Sequence, residues 1–245
     1  MILYINGDSH STGADAVVPY SFANDSDRHY NTPHRHAHSL NLAASFGVLS
    51  AEQLGWSWIN QAESGGCNQR IIRTTEIFLE TSNIKDLCIL IGWTTWEREE
   101  WLYKDIYYQV NASGRDQVPP ELQDKYKQWV IAQDDFERER KMLEWHQRIH
   151  EFHMSLRSRG IRHLFFNTYA DFAPIGCNQI TSHHTNPGQF NWHHSYLDPY
   201  NQNQTYYYWL KNQGFKTVAD GNYHYGKEAH AKWAEYLVPY LTRIL

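Results

Sequence analysis

The chain has little cysteine, methionine or proline, with 3, 3 and 8 of these among 245 residues. Cys67, Cys88 and Cys177 are too few and too scattered for a disulfide framework, so they read as reduced thiols. No charge of one sign dominates: 22 Lys and Arg face 27 Asp and Glu, a net charge of −5 with histidine neutral. Without a Lys/Arg-rich run there is nothing to neutralise a phosphate backbone, and a nucleic-acid partner is not expected. No stretch approaches the roughly 18 apolar residues of a membrane span, which leaves no membrane partner in view. No signal-like segment precedes the first apolar run, so the expectation is a soluble, cytoplasmic protein. In that setting the sequons at Asn24, Asn111 and Asn203 read as chance matches.

What the chain does have is an abrupt transition at its start. Ile2, Leu3, Tyr4 and Ile5 form a β-branched and bulky run that reads as a buried parallel strand, and Gly7 then permits a tight turn into Asp8 and Ser9. A serine at that place projects its hydroxyl into the crevice at the carboxyl ends of the strands, while its own N–H is free to donate to a developing oxyanion. Asp and Ser are also common turn and N-cap residues, so the string by itself fixes only a strand-to-loop boundary.

Along the chain, apolar runs alternate with helical periodicity. Strands are expected near residues 2–6, 56–61, 86–92, 161–167 and 215–219. Leu40 to Leu54 and Ile71 to Leu79 carry apolar residues at helical spacing. The charged stretch 122–159 reads as two helices or one bent one, a partner surface or a solvated face. Trp233, Tyr236, Leu237, Tyr240, Leu241 and Ile244 mark the buried side of a final helix. The pattern predicts one domain over 1–245, a flavodoxin-like three-layer α/β/α fold with a doubly wound parallel sheet of about five strands and long loop insertions.

Gly7-Asp8-Ser9-x-Ser11-x-Gly13 resembles the first signature block of the SGNH, or GDSL-type, hydrolases, and the later blocks follow in order with two departures. Ser64-Gly65-Gly66-Cys67-Asn68 resembles the second block, whose glycine N–H serves the oxyanion hole; this points to Gly66 or its neighbour Gly65. The third block reads Gly92-Trp93-Thr94, with Thr94 where the family has an oxyanion-holding Asn. Losing one such donor costs roughly two to three orders of magnitude in turnover, and Asn68 is the candidate compensator, or else simply the N-cap of the next helix. The last block, Asp-x-x-His in the family, is stretched by one residue to Asp220-Gly221-Asn222-Tyr223-His224. The resemblance makes His224 the base and Asp220 its orienting carboxylate, reached through a bulge at Gly221. It implies a serine esterase without cofactor, with Ser9, His224 and Asp220 catalytic and Ser9, Gly66, Asn68 and Thr94 around the oxyanion. A fold that had lost the chemistry and kept a binding role is the alternative.

Two long irregular segments, 14–38 and 171–204, are rich in histidine. His29, His34, His36, His38, His183, His184, His193 and His194 lack Cys or carboxylate partners at diagnostic spacing, so no metal site is expected. The second segment mixes Asn and Gln with Phe190, Trp192, Tyr196, Tyr200 and Tyr206 to Trp209, surfaces that suit sugar rings better than lipid tails, or that pack the loop itself. Trp93, Trp96 and Trp101, interleaved with acidic residues and Arg98, rim the pocket or form a solvated helical turn. Trp93, Trp96, Trp192 and His193 are the substrate-contacting candidates. The expected substrate is a small ester, a short acyl group such as acetyl on a carbohydrate or other small polar alcohol.

Overall fold

The computed structural model describes residues 1–19, 37–112, 118–180 and 184–244. Four parallel strands form its sheet: β1 (Ile2–Asn6), β2 (Ser57–Asn60), β3 (Leu87–Trp93) and β6 (Arg162–Asn167), in the order β2-β1-β3-β6. β3, Leu-Cys-Ile-Leu-Ile-Gly-Trp, is buried throughout, as a strand covered on both faces must be. Alternate side chains then supply two cores. Leu3, Ile5, Leu90 and Phe166 pack under α2 (Phe46–Leu54) and α8 (Lys227–Arg243). Tyr4, Ile89, Ile91 and Phe165 pack under α3 (Asn68–Thr81) and α5 (Asp135–Ser158). The result is a three-layer α/β/α arrangement. The chain leaves β1 for β2 on one side and returns to β3 on the other, which opens a crevice between the carboxyl ends of β1 and β3.

The expected helices form, with breaks. The segment from Leu40 splits into α1 (Ser39–Ala43) and α2, which ends on Gly55 in the left-handed region, φ 67°. The charged stretch is two helices, α4 (Gln123–Ile131) and α5, and α5 restarts at Asp134, whose side chain accepts from Glu137 N–H at 2.8 Å. α6 (Ala173–Gly176) and α7 (Tyr206–Asn212) lie between β6 and α8.

Two elements differ from expectation. Residues 215–219 make only an isolated antiparallel bridge, Thr217 to Tyr225, because the free edge of β6 is occupied by another segment. Phe165 N–H donates to Ser195 O at 2.8 Å and Phe165 O accepts Leu197 N–H at 2.9 Å, so 195–197 pairs where a fifth strand was expected. The stretch from Glu99 onward, with Trp101, is not a helical turn. It is an antiparallel hairpin, β4 (Glu99–Tyr103) and β5 (Ile106–Val110), turning at Lys104 and Asp105 with φ 48° and 62°. Two successive positive φ values match the twist of a two-residue hairpin. Trp101 and Val110 pack with Val118, Tyr126 and Trp129 in a small separate core. Among the described residues no helix is long and apolar enough to cross a membrane. His29, His34, His36, His183 and Asn24 lie outside the described residues.

Candidate active site

The Ser9 turn is built from the end of β1. Asn6 is fully buried, and its amide donates to Thr74 Oγ1 and Thr75 Oγ1 at 2.9 and 3.0 Å while its carbonyl takes Gly7 N–H at 2.9 Å. Gly7 follows at φ 154°, where a Cβ would lie 2.2 Å from Ser11 Oγ and 2.9 Å from Gly92 O, so only glycine lets the chain turn here. The backbone then coils: Ser11 and Thr12 N–H both donate to Asp8 O, and Ala14 N–H donates to Ser9 O at 3.0 Å. Ser9 N–H has no partner among the described residues. Gly13, φ 70°, packs so closely on Asn41 O that a Cβ would lie 2.4 Å from it.

Ser9 Oγ lies 2.8 Å from His224 Nε2, and His224 Nδ1 lies 2.8 Å from a carboxylate oxygen. That carboxylate is Asp15, not Asp220. Asp15 sits at φ 62°, a conformation aspartate tolerates, and its hydrogen bond to His224, with help from Asn222, holds its carboxyl below the usual range against partial burial. Asn222 braces the pair from both ends: its amide donates to Asp15 Oδ2 at 3.1 Å and its carbonyl accepts His224 N–H at 2.8 Å. Lys227 N–H, donating to Ala16 O at 3.0 Å, ties the start of α8 to the loop that carries Ser9 and Asp15. Asp220 is turned to solvent because residues 219–222 close on themselves, Asn222 N–H to Ala219 O at 3.1 Å, with Gly221 at φ 76°. The extra residue in the last block is absorbed by that turn rather than by a bulge aimed at the imidazole.

Asp8 is the buried hub beneath Ser9. Its Oδ1 accepts His10 N–H at 3.0 Å; its Oδ2 accepts Thr94 Oγ1 at 2.8 Å and Thr168 Oγ1 at 3.4 Å, with Arg98 Nη1 at 3.5 Å. Burial works to raise its pKa, but the nearby His10 and Arg98 and these hydrogen bonds prevail and hold it low. Burial lowers the His10 imidazole to about 4, so it is neutral near pH 7, with an unpartnered Nδ1 and its ring edge-on to His224 at 5.2 Å.

The expected oxyanion donors are placed around this turn, but most point elsewhere. Gly66 packs on the Ser9 turn so tightly that a Cβ would lie 3.2 Å from Gly7 O, yet its N–H donates to Glu63 O at 2.8 Å. Thr94 gives its hydroxyl to Asp8. Asn68 uses its amide on the Thr94 backbone, accepting Thr94 N–H at 3.0 Å and donating to Thr94 O at 3.2 Å. It is therefore the clamp joining the second and third loops, and it lies within α3 after the N-cap residue Cys67. Of the four expected donors, Ser9 N–H is the one without a partner among the described residues.

Three of the four substrate-contacting candidates belong to the interior. Trp93 is fully buried against Phe152 and Phe165, and Trp192 packs among His150, His153 and Tyr196. Trp96 stacks on Phe172 at 4.5 Å, and its remaining edge lines an open depression of about 550 Å³ with Asp135, Arg138, Ala170 and Asp171. His193 is exposed but stacks beside His153, on the α5 side of the sheet. A large aromatic at the end of a buried strand gains more from the core than a pocket rim offers. Among the described residues no three His, Cys, Asp or Glu side chains are grouped to hold a metal ion.

Asp15 is the residue that sequence reasoning missed. Its signal was an aspartate six positions past the serine in a loop returned on itself by Gly13, but nothing in the spacing tied it to His224 across more than two hundred residues.

Compared with known proteins, the sequence matches no family model and no curated protein. Among solved structures it is similar to a Corynascus thermopiles (Myceliophthora fergusii) carbohydrate esterase family 2 enzyme with its carbohydrate-binding domain, at 13% identity and a TM-score of 0.39. The likeness covers 99% of this chain and 66% of that one, and at such distance it carries no inference about activity.

Proposed function

We propose that this chain is a serine-dependent ester hydrolase that removes a short acyl group from a carbohydrate or other small polar substrate. The observation supporting this is the continuous line Ser9 Oγ, His224, Asp15, with 2.8 Å at each junction. A serine hydroxyl is a weak nucleophile until a neighbouring base takes its proton, and an imidazole is a dependable base when its other nitrogen is held by a carboxylate.

In the proposed reaction His224 Nε2 takes the Ser9 proton as Oγ bonds to the ester carbonyl carbon. The carbonyl π electrons move to oxygen, and Ser9 N–H donates to that oxyanion. Collapse breaks the bond to the alcohol, which leaves with the proton from His224. Water, deprotonated by the same imidazole, then attacks the acyl-enzyme and releases the carboxylic acid and Ser9. Asp15 stays ionised and holds the Nδ1–H tautomer throughout. The buried polar groups around Ser9, among them Asp8, His10 and Thr94, favour a short acyl group.

The engaged Thr94, Asn68 and Gly66 donors favour a second reading, a binding module that has kept the triad geometry without turnover. A fluorophosphonate probe separates the two. An adduct on Ser9 by mass spectrometry, absent in Ser9→Ala, is the result expected of the esterase; a folded protein that forms no adduct is the module.

A further inference from the structure

The site has a nucleophile, a base and an orienting acid, but of the expected oxyanion donors Gly66 N–H, the Thr94 hydroxyl and the Asn68 amide are engaged elsewhere, which leaves Ser9 N–H. A tetrahedral oxyanion held by a single N–H is poorly stabilised, and the shortfall has to be met by a group that lies at the seam between the Ser9 turn and the Gly66 turn. Arg98 is at that seam. Its Nη1 lies 3.4 Å from Gly66 O and 3.5 Å from Asp8 Oδ2, both at the long limit of a hydrogen bond, and its side chain is 23% exposed. A guanidinium has five N–H donors and stays charged at any working pH. Asp8 keeps His10 N–H and the Thr94 hydroxyl as its short partners, so a small turn of Arg98 toward Ser9 leaves that buried carboxylate satisfied.

The position of Arg98 is fixed by its neighbours on both sides. Trp96 is stacked on Phe172, and Thr95 donates to Glu97 at 2.7 Å. After it, Glu99 accepts from Trp101, Trp129 and Lys141, and Glu100 forms a two-pronged pair with Arg73 at 2.6 and 2.9 Å. The hairpin β4–β5 thus anchors the root of this arginine and leaves its tip movable. The geometry points to Arg98 as the oxyanion donor that takes the place of Thr94 and Asn68, a catalytic residue that completes the esterase site. This role rests on the esterase reading above.

The test measures Ser9 labelling by a fluorophosphonate, and hydrolysis of 4-nitrophenyl acetate, in the wild type, Arg98→Ala and Arg98→Lys. The expected result is that Arg98→Ala slows labelling and lowers kcat by about 100-fold to 1,000-fold with KM little changed. Added guanidinium ion is expected to restore part of the rate. Arg98→Lys keeps a cation beside Asp8, so it preserves the fold if the alanine variant does not, and it is expected to lose about 10-fold because an ammonium is a point donor on a flexible stem. Wild-type labelling rates in either folded variant would overturn the role, as would a change confined to KM, which would make Arg98 a substrate contact. A rate loss without guanidinium rescue and with a lowered melting temperature would reduce Arg98 to a structural partner of Asp8. A wild type that never labels would remove the esterase reading itself, an outcome distinct from all of these.

Discussion

The histidine beside Ser9 and the histidines on the opposite side of the sheet differ in what their nitrogens touch. His224 is about one-fifth exposed and has a partner on each nitrogen, a hydroxyl and a carboxylate. His146 and His153, on α5, are fully buried, and each has a nitrogen without a partner. Their tautomers follow from the network. Tyr200 Oη accepts Phe190 N–H and Trp192 Nε1–H, so its own proton goes to His146 Nε2 at 2.8 Å. His163 Nδ1 donates to Ile161 O, so its Nε2 accepts from His153 Nδ1 at 2.8 Å. These imidazoles pack against Phe190, Phe172 and Trp192 as aromatic rings that also close hydrogen bonds. A histidine is fitted to proton transfer by a carboxylate behind it and a nucleophile in front, and richness in histidine says nothing about that.

The comparison breaks first at Ser9 and His224. Ser9→Ala or His224→Ala is expected to lower ester hydrolysis by about 10⁴-fold or more, and the double variant to fall little further, because the two act as a unit. Equal and independent losses in steady-state kinetics would contradict that. Next in size is the acid: Asp15→Asn is expected to reduce kcat by about 10³-fold to 10⁴-fold, whereas Asp220→Asn, at the solvent-facing turn, stays within about two-fold. The reverse ranking would restore the last block's aspartate as the orienting group.

On the other side of the sheet, His153→Phe is expected to leave Ser9 labelling within about two-fold while it alters the melting temperature, since it removes an orphaned polar atom and the hydrogen bond to His163. A further effect is continuous in pH. Burial lowers His10 and His146 to about 4 and His153 and His230 to about 3, against 6.5 when exposed. Between those values the unfolded chain binds more protons than the folded one, so this stability is fully present above about pH 6.5 and is lost as the pH falls toward 4 and then 3. Melting temperatures should decline through that window, each such histidine contributing at most about 1.4 kcal/mol per pH unit, and His153→Phe should flatten the slope. An unchanged melting temperature from pH 7 to 4 would show that these imidazoles are not neutral by burial.

The parallel strands were legible because a strand buried on both faces must be apolar along its length, as Leu87 to Ile91 are. The helices were legible where their periodicity was clean. The hairpin 99–110 was hidden because it opens on two adjacent glutamates, Glu99 and Glu100, held by Lys141 and Arg73, and those pairings belong to distant elements. The absent fifth strand was equally a question of competition, since the 195–197 segment occupies the β6 edge.

The sequence by itself determined the α/β layering and the Gly7-Asp8-Ser9 turn, because strand burial and the steric demand at Gly7 are local. It also placed a histidine just ahead of the last helix. Only the tertiary structure decided which carboxylate stands behind His224, where the Thr94 and Asn68 side chains point, and that Trp93 and Trp192 fill the core. Those outcomes depend on which polar group from far along the chain arrives within about 3 Å of another, and a hydrogen bond between residues two hundred positions apart leaves no period or spacing to read.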